Sequence, residues 1–229
     1  MKIYTIKYYF YGSDQIVPFD YKNDVLYFLH RKILGNNNYH DILSLYSISP
    51  LLNYKTTENG LLFKEGAVWL IRTPSLEIFK DFYLKSKNAI NMELGYGLIL
   101  KSVDCVFENI NQESLITITS PVYLGQNKDN NERDHVTYLH GSTLTTLLMK
   151  KTLITKAKEL GYDLNLDNFN IEFDYDSPIR TKRILIGGVS NIATQGKVKI
   201  TGGVDVVGLC VSLGIGLSTG CCFGFCYEH

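Results

Sequence analysis

Three groups of residues in this chain could do chemistry. His30 and His40 carry the side chain whose ordinary pKa lies nearest neutrality, suited to giving and taking protons in water. The stretch Leu213-Gly-Ile-Gly-Leu-Ser-Thr-Gly-Cys-Cys-Phe-Gly-Phe-Cys226 places glycines at 214, 216, 220 and 224. Glycine tolerates positive φ and lets backbone approach a ligand, so this run describes a loop whose N–H groups could form an anion-binding concavity. Arg180-Thr-Lys182-Arg183 is an uncompensated basic run beside a predicted hairpin, the best candidate for phosphate contact.

The glycine run matches neither common phosphate motif. Its G-x-G-x-x-x-G spacing is wrong for a dinucleotide fingerprint, too little chain follows for a βαβ unit, and no Gly-Lys-Ser/Thr closes it as a P-loop would. On pattern alone, a glycine-rich hairpin closing the last strand is the simpler explanation. Of five cysteines, four follow position 209, and only Cys221, Cys222, Cys226 and His229 could form a metal set; small buried thiols are the expected role. Asp174 and Asp176 fall on the polar face of an alternating strand end and read as solvated. His135 and His140 flank an acidic, amide-rich insertion from Gln126 to Asp134 and read as structural or exposed.

The formal net charge is zero, so no global field draws nucleic acid and any basic site must be local. Hydrophobic content of 45% suits a globular chain, and its 229 residues make one large domain or two small ones. No apolar run approaches the roughly 20 residues of a membrane span. The opening residues lack the apolar core and cleavage site of a signal peptide, so the expected location is the reducing cytoplasm.

Elements that must position these groups follow from periodicity. Residues 2–11 alternate as a strand, with Tyr4, Ile6, Tyr8 and Phe10 on one face. A helix over about 21–34 stacks Val25, Leu29 and Ile33, with His30 on the adjoining row Leu26–His30–Leu34. Strands near 47–56 and 61–72, a helix over 74–86 with Leu76, Phe79 and Phe82 or Tyr83 inward, and a β-rich stretch over 89–108 complete β-α-β-β-α-β. The unit repeats: a strand at 115–124, a helix over 142–160 capped by Ser142 with Leu144, Leu147, Leu148 and Ile154 inward, and strands at 169–175, 180–187 and 193–202. A helix at 204–212 then enters the glycine run, and a last strand spans 223–227. The expected class is α+β, two tandem ferredoxin-like (βαββαβ, RRM-like) domains at 1–114 and 115–229.

The chain resembles the CRISPR-associated endoribonucleases of the RAMP superfamily that cut precursor CRISPR RNA within its repeats. The resemblance rests on the opening strand with its Pro-Phe-Asp-Tyr lead into the first helix, the histidine after that helix, and Thr119-Ser-Pro-Val-Tyr123 at the domain junction. Most specific is the C-terminal helix running into the glycine stretch. It departs in one respect: the family's loop often carries Lys or Arg between its glycines, where this chain has Leu217-Ser-Thr219.

The resemblance implies cleavage without metal or cofactor, since RNA supplies its own 2′-OH nucleophile, giving 2′,3′-cyclic phosphate and 5′-OH ends. It puts His40 at the family's catalytic histidine and His30 where some relatives have a helix-one tyrosine, as base and acid in either order. Lys55, Arg31 and Lys32 are candidates to stabilise the phosphorane, and Tyr46 stands near the family lysine's place to pack or orient. RNA contacts are expected from Gly214, Gly216, Ser218, Thr219, Gly220 and Gly224, and from Arg180, Lys182, Arg183, Lys197 and Lys199; Lys150 and Lys151 read as a solvated face. The implied partners are CRISPR repeat RNA, other CRISPR effector subunits and a second copy of the chain, with neither DNA nor membrane. The alternatives are an RNA-binding relative or complex subunit without catalysis, and an unrelated tandem ferredoxin-like module that binds a small anion or another protein.

Overall fold

The computed structural model describes residues 1–37, 39, 43–127 and 133–227, so the expectation for His40 lies outside the described residues. Strand β1 (Lys2–Phe10) is central, with Ile3, Thr5, Ile6, Tyr8 and Phe10 all buried. β2 (Ser13–Val17) leads to α1 (Lys22–Tyr27), which continues as π-helical turns over Phe28–Ile33. β3 (Ser47–Ile48), β4 (Lys55–Thr57), β5 (Gly60–Phe63) and β6 (Val68–Thr73) precede α2 (Leu76–Lys87), β7 (Glu93–Gly95) and β8 (Leu98–Asn109). The main sheet runs β3-β6-β1-β8-β7 and is antiparallel throughout. Without β7, an edge addition, this is the ferredoxin-like arrangement, in which each helical crossover skips one strand.

The second half repeats the plan. β9 (Ser114–Ile118), β10 (Leu124–Asn127), β11 (Arg133–Val136), α3 (Ser142–Glu159), β12 (Asn170–Phe173), β13 (Arg180–Ile186), β14 (Val189–Gln195), β15 (Lys197–Thr201) and α4 (Val204–Leu213) follow in order. Its sheet runs β12-β15-β9, and Cys226 bridges Thr119 as a single-residue fourth strand. The protein is therefore α+β with two ferredoxin-like units, and β10–β11 and β13–β14 are hairpins inserted into the second.

Several local expectations change. The predicted strand over 47–56 stops at Ile48, because Pro50 has no N–H for a ladder, and β4–β5 folds away into a small sheet with β2. The 89–108 stretch is a hairpin, turned by Tyr96 (φ 57°) and Gly97 (φ 73°). In α2, Ser75 caps the helix by accepting from the Ile78 N–H at 3.3 Å, and Phe79 and Phe82 point inward, but Leu76 is 45% exposed. Ser142 does not cap α3; it is the first helical residue after Gly141, and the capping box lies earlier, at Thr137 and His140.

The inward face of α3 is also rotated from the predicted one. Thr145, Met149, Leu153, Lys156 and Ala157 are buried, while Leu147 is exposed and Leu144, Leu148 and Ile154 pack at the border. The spacing of four, four, three and one is a regular helical row. It was obscured in the sequence because a threonine and a lysine stand on it.

Two large cores and a small cluster of Tyr123, Ala193 and Phe223 result, and the segment after α4 touches all three. Cys222 belongs to the first core and Cys226 to the second. Ser47 on β3 donates to the Ser212 carbonyl on α4 at 2.9 Å. Arg72 on β6, 4% exposed, donates to the Cys226 carbonyl at 2.6 Å, and its guanidinium lies 4.7 Å from the centre of the Phe225 ring. Burial lowers the Arg72 pKa, while the neighbouring Glu108 and the Cys226 side chain favour the charge. Arg72→Met leaves the Cys226 carbonyl without its buried donor, with an expected loss of about 2–4 kcal/mol. Thermal melting should read this as a drop of roughly 5–10 °C, whereas Lys80→Met on exposed α2 should stay within about 1–2 °C of the parent; equal melting of both variants would show that Arg72 does not tie the halves together.

Candidate functional site

A cleft of about 640 Å³ opens between the two halves. One wall is the first helix, where widening into π turns brings Leu26, Tyr27, His30 and Arg31 along a single face. Single π turns inside helices concentrate at functional sites, because the extra residue re-aims the side chains around it. The next segment, Tyr39, Leu43, Ser44 and Tyr46, lines a second wall. Leu217, Ser218, Gly220 and Cys221 of the glycine run form the third, with Lys156 among the lining.

His30 is 7% exposed, so only its edge meets the cleft. Tyr46 is 2% exposed and its ring meets Phe82 edge-on at 5.0 Å between centroids. Burial pushes the Tyr46 phenol well above its usual range, which keeps the hydroxyl neutral and makes it a donor rather than a base. Arg31 is exposed within the cleft. Tyr39 and Leu43, on either side of His40 in the chain, both line it.

Lys156 is the residue that sequence reasoning missed. It is 1% exposed, and its ammonium donates to the Leu213 carbonyl (3.2 Å), the Gly216 carbonyl (3.0 Å) and Thr219 Oγ1 (2.9 Å). Thr219 in turn donates its hydroxyl to the Tyr46 carbonyl at 3.0 Å. A chain of hydrogen bonds thus joins α3, the glycine run and the cleft wall of the first unit. Burial pulls the Lys156 pKa down to about 7. The signal in the sequence was position: Lys156 lies three residues beyond Leu153 and seven beyond Met149, on the apolar row.

The glycines divide by role. At Gly224 (φ 58°) a Cβ would lie 1.8 Å from the Ile215 carbonyl, and at Gly216 (φ 83°) it would lie 2.6 Å from the Tyr123 carbonyl. These two glycines, with Gly214 packed on Thr219 and Ser47, serve close approach of the chain to itself. Gly220 and Ser218 face the cleft, and a Cβ on Gly220 would press on Ser44 and the Tyr46 ring. The run therefore forms neither a plain hairpin nor an open nest.

The remaining candidates are dispersed. Lys55 is exposed on β4 and does not line the cleft, and Lys32 donates to the Glu93 carbonyl at 2.5 Å. Arg180, Lys182 and Arg183 are exposed on β13, and the tip of their hairpin leans on the first helix, where Gly187 N–H donates to Asn23 Oδ1 at 2.8 Å. Partial burial, then the charge of Arg180, lowers the Lys182 pKa. Buried Lys22, also missed in the sequence, lies 4.9 Å from the centre of the Phe223 ring; burial lowers its pKa, and Lys182 adds to the effect. Lys197 and Arg180 border a separate hollow of about 360 Å³ beside Ile118 and Pro178. Lys199 is occupied, 2.8 Å from Asp174 and 3.6 Å from Asp176, and this contact lowers the Asp174 pKa. His140 Nδ1 accepts from the Thr137 N–H at 3.1 Å as part of the capping box. Among the described residues no three His, Cys, Asp or Glu side chains converge as a metal site requires, and no helix is long and apolar enough to cross a membrane.

No sequence-family model matches the chain, and no curated protein matches it by sequence. Solved structures do match in fold. A CRISPR-associated protein Cas6 superposes with a TM-score of 0.80 at 15% identity, covering 99% of both chains. A RAMP protein described as binding different RNA substrates gives 0.74 at 16% identity over 100% of both. A Cas6-related protein from Pyrococcus furiosus gives 0.73 at 16% identity, covering 99% of this chain and 97% of that one. Over its whole length, the chain has the tandem ferredoxin-like fold of the CRISPR-associated Cas6 and RAMP proteins.

Proposed function

We propose that the chain is an endoribonuclease that cuts precursor CRISPR RNA within its repeats, without metal. The observation that carries this reading is the cleft itself: in a fold shared with Cas6 proteins, it gathers a histidine, a neutral tyrosine hydroxyl, an arginine and a lysine-anchored glycine segment. No carboxylate lines it among the described residues, so none of the described lining groups repels a phosphate. RNA is cut when its 2′-oxygen attacks the adjacent phosphorus. A base takes the 2′-OH proton, the bond from phosphorus to the 5′-oxygen breaks, and an acid protonates that oxygen. The products are a 2′,3′-cyclic phosphate and a 5′-OH. His40, on the strength of the family resemblance, and His30 are the proposed proton carriers. Arg31 stabilises the added charge of the phosphorane, and the loop face around Ser218 and Gly220 orients the phosphate. The exposed β13 run, Arg180, Lys182 and Arg183, supplies contacts to flanking phosphates, with the strand break near residue 114 separating a catalytic unit from an RNA-holding one.

The second reading, an RNA-binding relative that does not cut, draws on the deep burial of His30 and the absence of Lys or Arg between the loop glycines. Single-turnover cleavage of a repeat RNA distinguishes the two. His40→Ala should slow cleavage by about 10²–10⁴-fold with little change in affinity, the usual contribution of a positioned acid or base. His30→Ala should slow it comparably if the two act as a pair. Near-parental rates in both variants would rule out histidine chemistry, and no cutting by the parent chain with tight, salt-sensitive binding would select the second reading.

Cleavage in excess EDTA should proceed at the rate seen without it, because the attacking oxygen and the proton carriers are all organic groups. Activity lost to the chelator and restored by Mg²⁺ or Mn²⁺ would refute this mechanism.

A further inference from the structure

A buried lysine normally has a carboxylate partner. Lys156 has none in the contacts described; its acceptors are two carbonyls and a hydroxyl, all on the segment that shapes the cleft. Because Thr219 gives its own proton to the Tyr46 carbonyl, it must accept from Lys156, so all three bonds are donated by the lysine. Three donors require the ammonium, since the neutral amine has only two N–H groups. Protonated Lys156 therefore holds the loop at three points and puts an unneutralised positive charge behind the cleft wall; deprotonated, it must release one point and the charge with it.

We propose that Lys156 is a positioning residue for a phosphate group in the cleft, and that phosphate entry is coupled to proton uptake by this lysine. The proposal deepens the RNA reading above and rests on it for the identity of the natural anion. Burial already brings Lys156 down to about 7, so both forms are accessible near neutral pH. An anion in the cleft favours the ammonium and raises that value, so the complex binds more protons than the free protein and affinity falls as pH rises above 7. The other titratable or charged groups among the described residues are Tyr27, His30 and Arg31 on the helix wall, Tyr39 and Tyr46 opposite, Cys221 on the loop, and Cys210 of α4 on the buried side. Burial pushes the Cys210 thiol far up, which keeps it neutral in this range. Among the described residues His30 is the competitor as a source of proton uptake, and His40, the other proposed proton carrier, is a second.

The test uses calorimetry at pH 8 in two buffers of different ionisation enthalpy, with inorganic tripolyphosphate and with a short single-stranded RNA as probes. The parent chain, His30→Gln and His40→Gln should each take up close to one proton on binding, and affinity should fall about twentyfold to fortyfold between pH 7 and pH 9. Lys156→Arg, charged throughout, should keep the affinity and lose the uptake. Lys156→Met should lose both. Folding stability provides a readout without ligand. The folded-state value lies below the ordinary 10.5, so the unfolded chain holds more protons between pH 7 and 10.5 and stability rises with pH across that window. That rise should be present between pH 7 and 8.5 in the parent and absent in Lys156→Met; if Lys156→Met does not fold, the parent and Lys156→Arg decide.

Tripolyphosphate binding with Lys156-dependent uptake but no RNA binding would support the phosphate site while refuting the RNA reading. RNA binding with the same pH profile in the parent and both Lys156 variants would overturn the proposal and leave the RNA reading standing. Absence of binding to either probe would overturn both.

Discussion

The structure turns on one buried cation. Lys156 reaches from the second unit's long helix to the end of α4 and the glycine run, and through Thr219 to the backbone of the first unit at Tyr46. Glycine-rich backbone carries a large conformational entropy and does not hold a shape unaided. Here its shape is imposed from behind, by three donated hydrogen bonds and by contacts in which Gly214, Gly216 and Gly224 leave no room for a side chain. The cleft wall is thus a surface of the core rather than a free loop.

On the proposed reading, this buried charge stands in for the basic residue that the loop lacks among its own glycines. Leu217, Ser218 and Thr219 offer no charge, yet the segment is backed by an ammonium shielded from solvent. A charge in a low-dielectric setting acts more strongly than one in water, so a lysine behind the wall can do what an exposed one on it would do less well. Arg31 is exposed on the helix wall of the cleft, and a further exposed basic run lies on β13, whose hairpin tip at Gly187 reaches the first helix.

Much of this was legible in the sequence, and the parts that were not share a physical cause. The doubled β-α-β-β-α-β order could be read because β1, α2 and β12 carry unbroken apolar periods, and the sheet orders match it. The ends of elements were missed where one residue outweighed the pattern, as Pro50 does in cutting β3 to two residues. The inward face of α3 was missed because Thr145 and Lys156 occupy apolar positions, where Thr145 is satisfied by the Gly141 carbonyl one turn back and Lys156 by acceptors on the glycine run. At the site, His30, Tyr46, Arg31, Ser218 and Gly220 were named from the sequence and share the cleft, while Lys55 and Lys32 do not. Lys156 and Lys22 went unnamed, since burial of a lysine depends on what surrounds it and not on its neighbours in the chain.

Arg72 carries a consequence for the order of events during synthesis. Its acceptor, the Cys226 carbonyl, lies 154 residues further along the chain. The first unit therefore emerges from a ribosome with Arg72 beside Glu108 of its own sheet but without the carbonyl that accepts from it, and with a core that still lacks Cys222. Until the segment beyond α4 is made, that half is incompletely packed and inclined to stay loose. Completion of the second half then seals the first, so a truncated chain is a defective version of both units rather than one sound unit and a missing one.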